Sequence, residues 1–183
     1  MSNRDGYAPG KAGGAEIQKD GDKWTLLIVR ELRHPPTRVW TAITEPEHLR
    51  QWAPYDADRT LGAVGTVTLT TVGAPSAMQS TTEVRRAEPP KLLELSWGGQ
   101  DMRWELEPLE SGGTRLRLWH NIHKNYIAMG AAGWHVCLDV LDQLLAGTPI
   151  GRLVGADAMQ FQPWHRLHAE YAELFGVSTG GQT

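Results

Sequence analysis

"RHPPTRVWTAITEPEHLRQWAP", residues 33–54, places an apolar helical pattern between two proline sites. Pro36 suits the first turn of a helix, because the N–H that proline lacks has no partner within the helix there. Val39, Ala42 and Ile43 then follow the i, i+3, i+4 spacing of a helix that lays one stripe on a core. The pattern predicts a short amphipathic helix that begins at this proline.

The second half of the same stretch predicts a second short helix. Pro46 disfavours helix in the residue before it, so the first helix ends near Thr44. Thr44 and Glu47 have the T-x-x-E spacing of a capping box, and Pro54 ends the new helix. Two short helices that meet at a sharp corner suit one end of a curved sheet, and we expect Trp52 to anchor that closure.

The chain around this corner alternates apolar and polar residues at strand spacing. The segments with this pattern are residues 63–73, 78–88, 91–99, 101–110 and 114–122, and residues 23–32 are predicted as a further strand that has apolar residues on both faces and is covered at least partly on both sides. Alternation places Trp97, Met102 and Trp104 on the apolar faces of their strands, and His120 on the same face as two leucines. Short turns between consecutive strands predict an antiparallel meander.

Two helical patterns follow the strands. Residues 133–147 carry Trp134 and Leu138 on one amphipathic stripe, with Gly147 expected as the residue that caps the helix end. A last helix is predicted over residues 156–175. Strands, two short helices, a meander and a long helix predict an α+β fold in which one helix covers a curved sheet.

Composition indicates a globular chain of one domain. The 183 residues are 40% hydrophobic and 21% charged, and the net charge of −3 makes no electrostatic case for nucleic acid. One cysteine fits a reducing compartment, and neither a signal-peptide core nor a run of 18 apolar residues is visible. We expect a cytoplasmic protein without membrane insertion, with a disordered tail over residues 1–20 and a single domain over residues 21–176.

Four segments together resemble a known family. "HPPTRVWTAITEPEHLRQWAP", "EPPKLLELSWGG", "GGTRLRLWHNIH" and "GWHVCLDVLDQLLAG" are similar, in this order, to the activator of Hsp90 ATPase homologue 1-like family of the START-like, or SRPBCC, helix-grip superfamily. The resemblance runs from about Trp24 to Gly147. It implies a curved seven-stranded antiparallel sheet around a long C-terminal helix, with two short helices between the first and second strands and an extra terminal helix.

The resemblance also implies a cavity between the sheet and the long helix. Its expected wall consists of Trp97, Met102, Trp104, His120, Trp134 and Leu138, with Trp52 at the closed end. Whether the space is open or filled by the indole rings is left open by the sequence. His120 is either a buried histidine that bonds to the backbone, a polar handle for a ligand, or a general acid or base of shifted pKa.

Three functions follow as hypotheses. The first is a binding protein for a small apolar, aromatic or lipid-like molecule. The second is an Hsp90-type co-chaperone, as the family name suggests. The third is a cyclase-like or hydrolase-like enzyme, which requires a second titratable group within hydrogen-bond reach of His120. A homodimer through the last helix is a further hypothesis.

Metal and catalytic motifs are not assembled by this sequence. The pairs His120/His123 and His165/His168 have H-x-x-H spacing, but a structural zinc site needs four ligands and a catalytic site three. Cys137 reads as a packed side chain. We therefore expect no metal, no cofactor and no catalytic residue that can be named.

Overall fold

The structure is a computed structural model, which describes residues 3–73 and 78–179. The strands are β1 (Ala15–Asp20), β2 (Lys23–Leu32), β3 (Tyr55–Ala57), β4 (Gly65–Thr71), β5 (Met78–Val84), β6 (Arg86–Glu88), β7 (Leu92–Trp97), β8 (Gln100–Pro108) and β9 (Thr114–Asn121). The helices are α1 (Pro36–Thr44), α2 (Pro46–Leu49), α3 (Ile127–Leu145), α4 (Gly155–Gln160) and α5 (Gln162–Phe175), and a 3₁₀ turn spans Asn3–Gly6. Together they form the predicted α+β helix-grip arrangement.

The strands form two antiparallel sheets that share one bent strand. The larger sheet has the order β1-β2-β9-β8-β7-β6, and the smaller has the order β3-β4-β5. The Arg85 N–H donates to the Glu94 carbonyl at 2.9 Å, so β5 and β6 are one strand that changes sheet at this residue. The described residues hold nine strands, whereas the resemblance implies seven. Two of them, β1 and β3, lie outside the six segments that the sequence identifies, and the segment over residues 78–88 is divided into β5 and β6.

The N-terminal segment corrects one prediction. Residues 15–20 were expected to belong to a disordered tail, but they form β1, which pairs with β2 from Ala15–Ile28 to Asp20–Lys23. The expectation of disorder is wrong for these residues. Ile17 is the only large apolar residue in β1, so the segment has little strand signal of its own, and it is ordered by its pairing with β2. Residues 1–2 lie outside the described residues. Further along, the Tyr7 hydroxyl donates to Asp139 on α3, which ties the segment to the core.

The proline-punctuated corner folds as two short helices, as predicted. Trp52 is fully buried just after α2, and its Nε1–H donates to the Ala42 carbonyl of α1 at 2.9 Å. The predicted capping box is wrong. Glu45 is the N-cap of α2, and Thr44, still inside α1, donates its hydroxyl to the Trp40 carbonyl at 2.7 Å. Helix α1 runs to its last possible residue and removes the threonine from the cap position.

Helix α3 lies across the inner face of the larger sheet and is buried on nearly all sides. It begins at Ile127, six residues before the predicted start at residue 133. Gly130 and Gly133 weaken the local helix signal there, and packing overrides their propensity. At the other end Gly147 has φ +81° and donates to the Leu144 carbonyl, as predicted for a left-handed cap. Among the described helices none is long and apolar enough to cross a bilayer.

The predicted last helix is two helices. Phe161 adopts an extended conformation between α4 and α5, and Pro163 occupies the first turn of α5. Three of the four residues of the predicted apolar stripe, Trp164, Leu167 and Tyr171, are buried within this same chain, where α5 packs on α3, whereas Leu174 is 54% exposed. Most of the stripe is therefore covered without a second subunit, and the homodimer stays a prediction.

Arg152 connects the chain before α4 to the helical corner. Its guanidinium donates to the carbonyls of Ala53, Leu49 and Tyr55 at 2.7–3.1 Å and to Asp56 at 2.6 Å. We expect Arg152→Met to lower the free energy of unfolding by about 3 kcal/mol in a urea titration, because the carbonyls lose a charged donor. Arg152→Lys should recover only part, since lysine lacks the planar fork. A loss below about 0.5 kcal/mol for Arg152→Met would contradict the anchor role.

Candidate functional site

A cavity of about 400 Å³ lies between the larger sheet, α3 and the α4–α5 pair. Its wall consists of Trp97, Gln100, His120 and Ile122 from the sheet side, of Met129, Gly130, Gly133, Trp134 and Cys137 from α3, of Gly155, Ala158, Met159 and Trp164 from α4 and α5, and of Pro54, Tyr126, Leu153 and Val154 from connecting segments. Tyr126 and Met159 are 57% and 50% exposed and mark the mouth. The indoles do not fill this space.

Two glycines on α3 shape the cavity wall in different ways. A Cβ at Gly133 would have nothing within 4 Å, so the helix presents bare backbone to open space there. A Cβ at Gly130 would lie 2.6 Å from Cδ1 of Ile122, so this glycine permits close packing of the helix against the chain after β9. The first turns of α3 are therefore part of the wall. A glycine in the wall cannot be predicted from the spacing of apolar side chains.

An aromatic cluster links the cavity wall to the core. The rings of Trp97 and His120 stack with centroids 5.8 Å apart, and Trp134 meets each of them edge-on. Behind them Trp104 meets Trp134 at 5.4 Å and Trp52 at 6.2 Å, again edge-on. Such contacts add to the stabilisation that ring burial supplies. One end of the cluster therefore borders the cavity, and the other end reaches Trp52 at the helical corner.

His120 is the buried polar group of the cavity wall. Trp134 Nε1–H donates to its Nδ1 at 3.0 Å, and its Nε2 is buried without a hydrogen-bond partner among the described residues. Burial lowers the pKa of His120 to about 4, so the imidazole is neutral at physiological pH. Burial raises the pKa of the neighbouring Cys137 thiol to about 12, which keeps it protonated. His120 and Cys137 therefore add polar groups to the wall but no charge.

The structure separates the seven residues predicted for the cavity into two groups. Trp97, His120 and Trp134 line the space. The other four are buried in the core behind it: Trp52, Met102, Trp104 and Leu138. Strand alternation identifies residues that face inward, but only part of the inner face borders a void. Sequence reasoning missed Tyr126, Met159 and Trp164, although the apolar stripe on α5 was a signal that Trp164 must be buried somewhere.

The two histidines of the H-x-x-H pair on α5 have different surroundings, and Nε2 of His168 is buried without a hydrogen-bond partner among the described residues. His165 is exposed and its Nε2 lies 2.6 Å from the Met159 carbonyl. The half-buried ring of His168 lies with its centroid 5.0 Å from that of Trp164, and burial lowers its pKa. Among the described residues no group of three or more His, Cys, Asp or Glu side chains is placed to hold a metal ion.

Acid is expected to destabilise the protein through His120. The imidazole binds a proton near pH 6.5 in the unfolded chain but only near pH 4 in the folded one. The unfolded state therefore binds more protons in this window, and stability present above pH 6.5 is lost as the pH falls toward 4. The loss amounts to about 3 kcal/mol, from 1.36 kcal/mol for each unit.

Urea unfolding of the wild type and of His120→Phe at pH 7 and pH 4 measures how much of the acid-induced loss of unfolding free energy comes from His120. Because burial also lowers the pKa of His135 to about 4, the wild type carries a second acid-sensitive group. The His120→Phe variant keeps the acid sensitivity due to His135, so its unfolding free energy should fall less between pH 7 and pH 4 than that of the wild type. Equal acid sensitivity of the two proteins would show that His120 is not the buried neutral group described.

An antiparallel sheet wrapped around a long helix, with a cavity between them, defines a helix-grip protein of the START-like class. The chain belongs to the Activator of Hsp90 ATPase homolog 1-like family, whose family model matches residues 33–146. No curated protein matches the sequence. The match to the family model confirms the resemblance of the four sequence segments.

Solved structures of bacterial proteins share the fold. A conserved protein of unknown function from Enterococcus faecalis, EF2215, is similar with a TM-score of 0.67 and 16% identity, over 87% of this chain and 89% of its own. CalU16 from Micromonospora echinospora is similar with a TM-score of 0.66 in its solution structure and 21% identity, over 92% of this chain and 97% of its own. These likenesses show the fold alone.

Proposed function

We propose that this protein is a cytoplasmic binding protein that holds one small, largely apolar or aromatic molecule in the cavity between the sheet and α3. The observation that carries the proposal is the open space of about 400 Å³ behind an exposed mouth. Ligand pockets have volumes of about 300–1,000 Å³, with mostly apolar and aromatic walls and a few polar groups. The wall with Trp97, Trp134, Trp164 and His120 has this character.

Apolar burial supplies the affinity under this proposal. Each Å² of apolar surface removed from water contributes about 25 cal/mol. A two-ring molecule of roughly a dozen non-hydrogen atoms at about 0.5 kcal/mol for each atom would bind with about 6 kcal/mol. That corresponds to a dissociation constant of tens of micromolar. A ligand that fills the cavity more completely would bind more tightly.

Native mass spectrometry of the purified protein tests the proposal. We expect an added mass of a few hundred daltons that disappears on denaturation, because an apolar cavity retains an apolar ligand from the cell. Extraction and a second mass measurement then identify the molecule. A bare chain mass, together with no change of tryptophan fluorescence on addition of aromatic ligands, would count against the proposal.

The family supports a second candidate, an interaction with an Hsp90-type chaperone, because the family model that matches residues 33–146 carries that description. A pull-down of purified Hsp90 on immobilised protein tests it.

The enzyme hypothesis needs a second titratable group beside His120. Its hydrogen-bond partner in the described structure is the indole of Trp134, which does not exchange protons at neutral pH, so binding ranks ahead of catalysis.

A further inference from the structure

We infer that the cavity selects an uncharged ligand that presents a hydrogen-bond acceptor, such as a ketone, quinone, ester or ether oxygen, to Nε2 of His120. The inference rests on the proposed function and names the ligand class for the same cavity. Two observations carry it: the hydrogen bond that fixes the tautomer of His120, and the lack of charged side chains in the described wall of the cavity.

The first observation concerns the proton on His120. An indole Nε1–H can only donate, so Nδ1 of His120, 3.0 Å from Trp134 Nε1, must accept and carries no proton. In a neutral imidazole the proton then sits on Nε2. The residue lines the cavity but is only 3% exposed, and its Nε2–H is closed off and has no partner among the described residues. A ligand oxygen reaches this N–H through a shift of neighbouring wall side chains, which is common on binding. A buried donor without an acceptor is an unfavourable arrangement that a ligand oxygen would relieve.

The second observation concerns charge. The described wall contains no Lys, Arg, Asp or Glu side chain, so a carboxylate bound there would find no opposite charge. His120 cannot supply one easily. A proton on Nδ1 would point at the Trp134 N–H and remove the hydrogen bond between the two rings. The low pKa of His120, about 4, agrees with this geometry.

The remaining wall favours flat molecules. Trp97 and Trp134 offer ring faces and edges, and Met129 and Met159 offer adaptable thioethers. An aromatic carbonyl compound therefore matches the flat apolar wall, the unpartnered donor of His120 and the absence of charge at once. A fatty acid, with its carboxylate, matches only the apolar surface.

Three naphthalenes of nearly equal size separate these features: 2-acetylnaphthalene, 2-ethylnaphthalene and 2-naphthoate. Dissociation constants from quenching of tryptophan fluorescence at pH 7.5 are compared. We expect the ketone to bind about tenfold more tightly than the hydrocarbon, and the carboxylate to bind most weakly. His120→Phe should bring the affinity for the ketone down to that for the hydrocarbon. His120→Gln returns an N–H donor and should restore part of the preference.

The outcomes distinguish the two levels of the proposal. If the hydrocarbon binds as tightly as the ketone, or the carboxylate binds most tightly, the inference is overturned and the binding function stands. If none of the three binds, the proposed function fails and the inference fails with it. Circular dichroism spectra of both His120 variants establish that they are folded before binding is compared.

The tautomer is measured without any ligand. Long-range ¹H–¹⁵N correlation spectra of the histidine rings report which nitrogen carries the proton. We expect His120 to show a protonated Nε2 and an unprotonated Nδ1 at pH 7.5. Trp134→Phe keeps a ring but removes the N–H, and should raise the fraction with the proton on Nδ1. A wild-type His120 protonated at Nδ1 would overturn the inference.

Discussion

Trp52→Ala is expected to lower the free energy of unfolding by about 4 kcal/mol. Trp52 is fully buried at the helical corner, its Nε1–H donates to the Ala42 carbonyl at 2.9 Å, and its ring meets Trp104 edge-on at 6.2 Å. Removal of a buried indole leaves a large cavity in a core that relaxes only partly. The Ala42 carbonyl also loses its donor from the side chain. A urea titration followed by circular dichroism measures the loss.

Trp119→Ala is the matched control, because the same substitution is made on the outer face of the sheet. Trp119 is half-buried, next to the guanidinium of Arg103, and should cost only about 1 kcal/mol. Trp52→Phe keeps an aromatic ring but no donor, and should fall between the two. If Trp52→Ala costs no more than Trp119→Ala, Trp52 does not anchor the corner.

Gly133→Leu is expected to weaken binding of 2-acetylnaphthalene at least about tenfold without loss of stability. Gly133 lies on α3 and lines the cavity, and a Cβ there has nothing within 4 Å. A leucine side chain would extend into the space that the ligand needs. Leucine also has the better helix propensity, by roughly 0.5–1 kcal/mol, so the free energy of unfolding should stay equal or rise.

Gly133→Ala is the control that separates propensity from occupancy. A single methyl group adds the same kind of helix stabilisation but leaves most of the cavity empty, so binding should fall much less than in Gly133→Leu. Fluorescence titration measures the affinity, and thermal unfolding measures the stability. Wild-type affinity in a stable Gly133→Leu protein would mean that the ligand binds elsewhere.

Local sequence patterns predicted most of the fold. Pro36 and Pro46 act on the residues beside them, so the two helices of the corner follow from steric rules alone. Strand alternation placed β4 and β7–β9 because each has one face against the core, and β2 was placed by its apolar run, which is buried on both faces. Strand β1 escaped prediction because its order comes from pairing with β2, which is a property of the partner as much as of the segment.

The cavity was predicted less completely than the fold, for a physical reason. Inward-facing residues can be read from periodicity, but a void is defined by what is missing, and at Gly133 the missing part is a side chain. Trp97 and Trp134 border the void, whereas Met102 and Leu138, equally inward, pack against neighbours. The far wall comes from α4 and α5, whose division at Phe161 the sequence did not reveal.

Methionine methyl groups report directly on whether a small apolar molecule binds in this cavity. Met129 and Met159 line the space, Met102 is buried in the core behind it, and Met78 is exposed on β5. In ¹³C-methyl-methionine NMR spectra, 2-acetylnaphthalene should shift the Met129 and Met159 signals and give intermolecular NOEs to both, with Met102 and Met78 little changed. Shifts confined to Met78, or no NOE to Met129 and Met159 at saturating ligand, would mean that the molecule does not bind in this cavity.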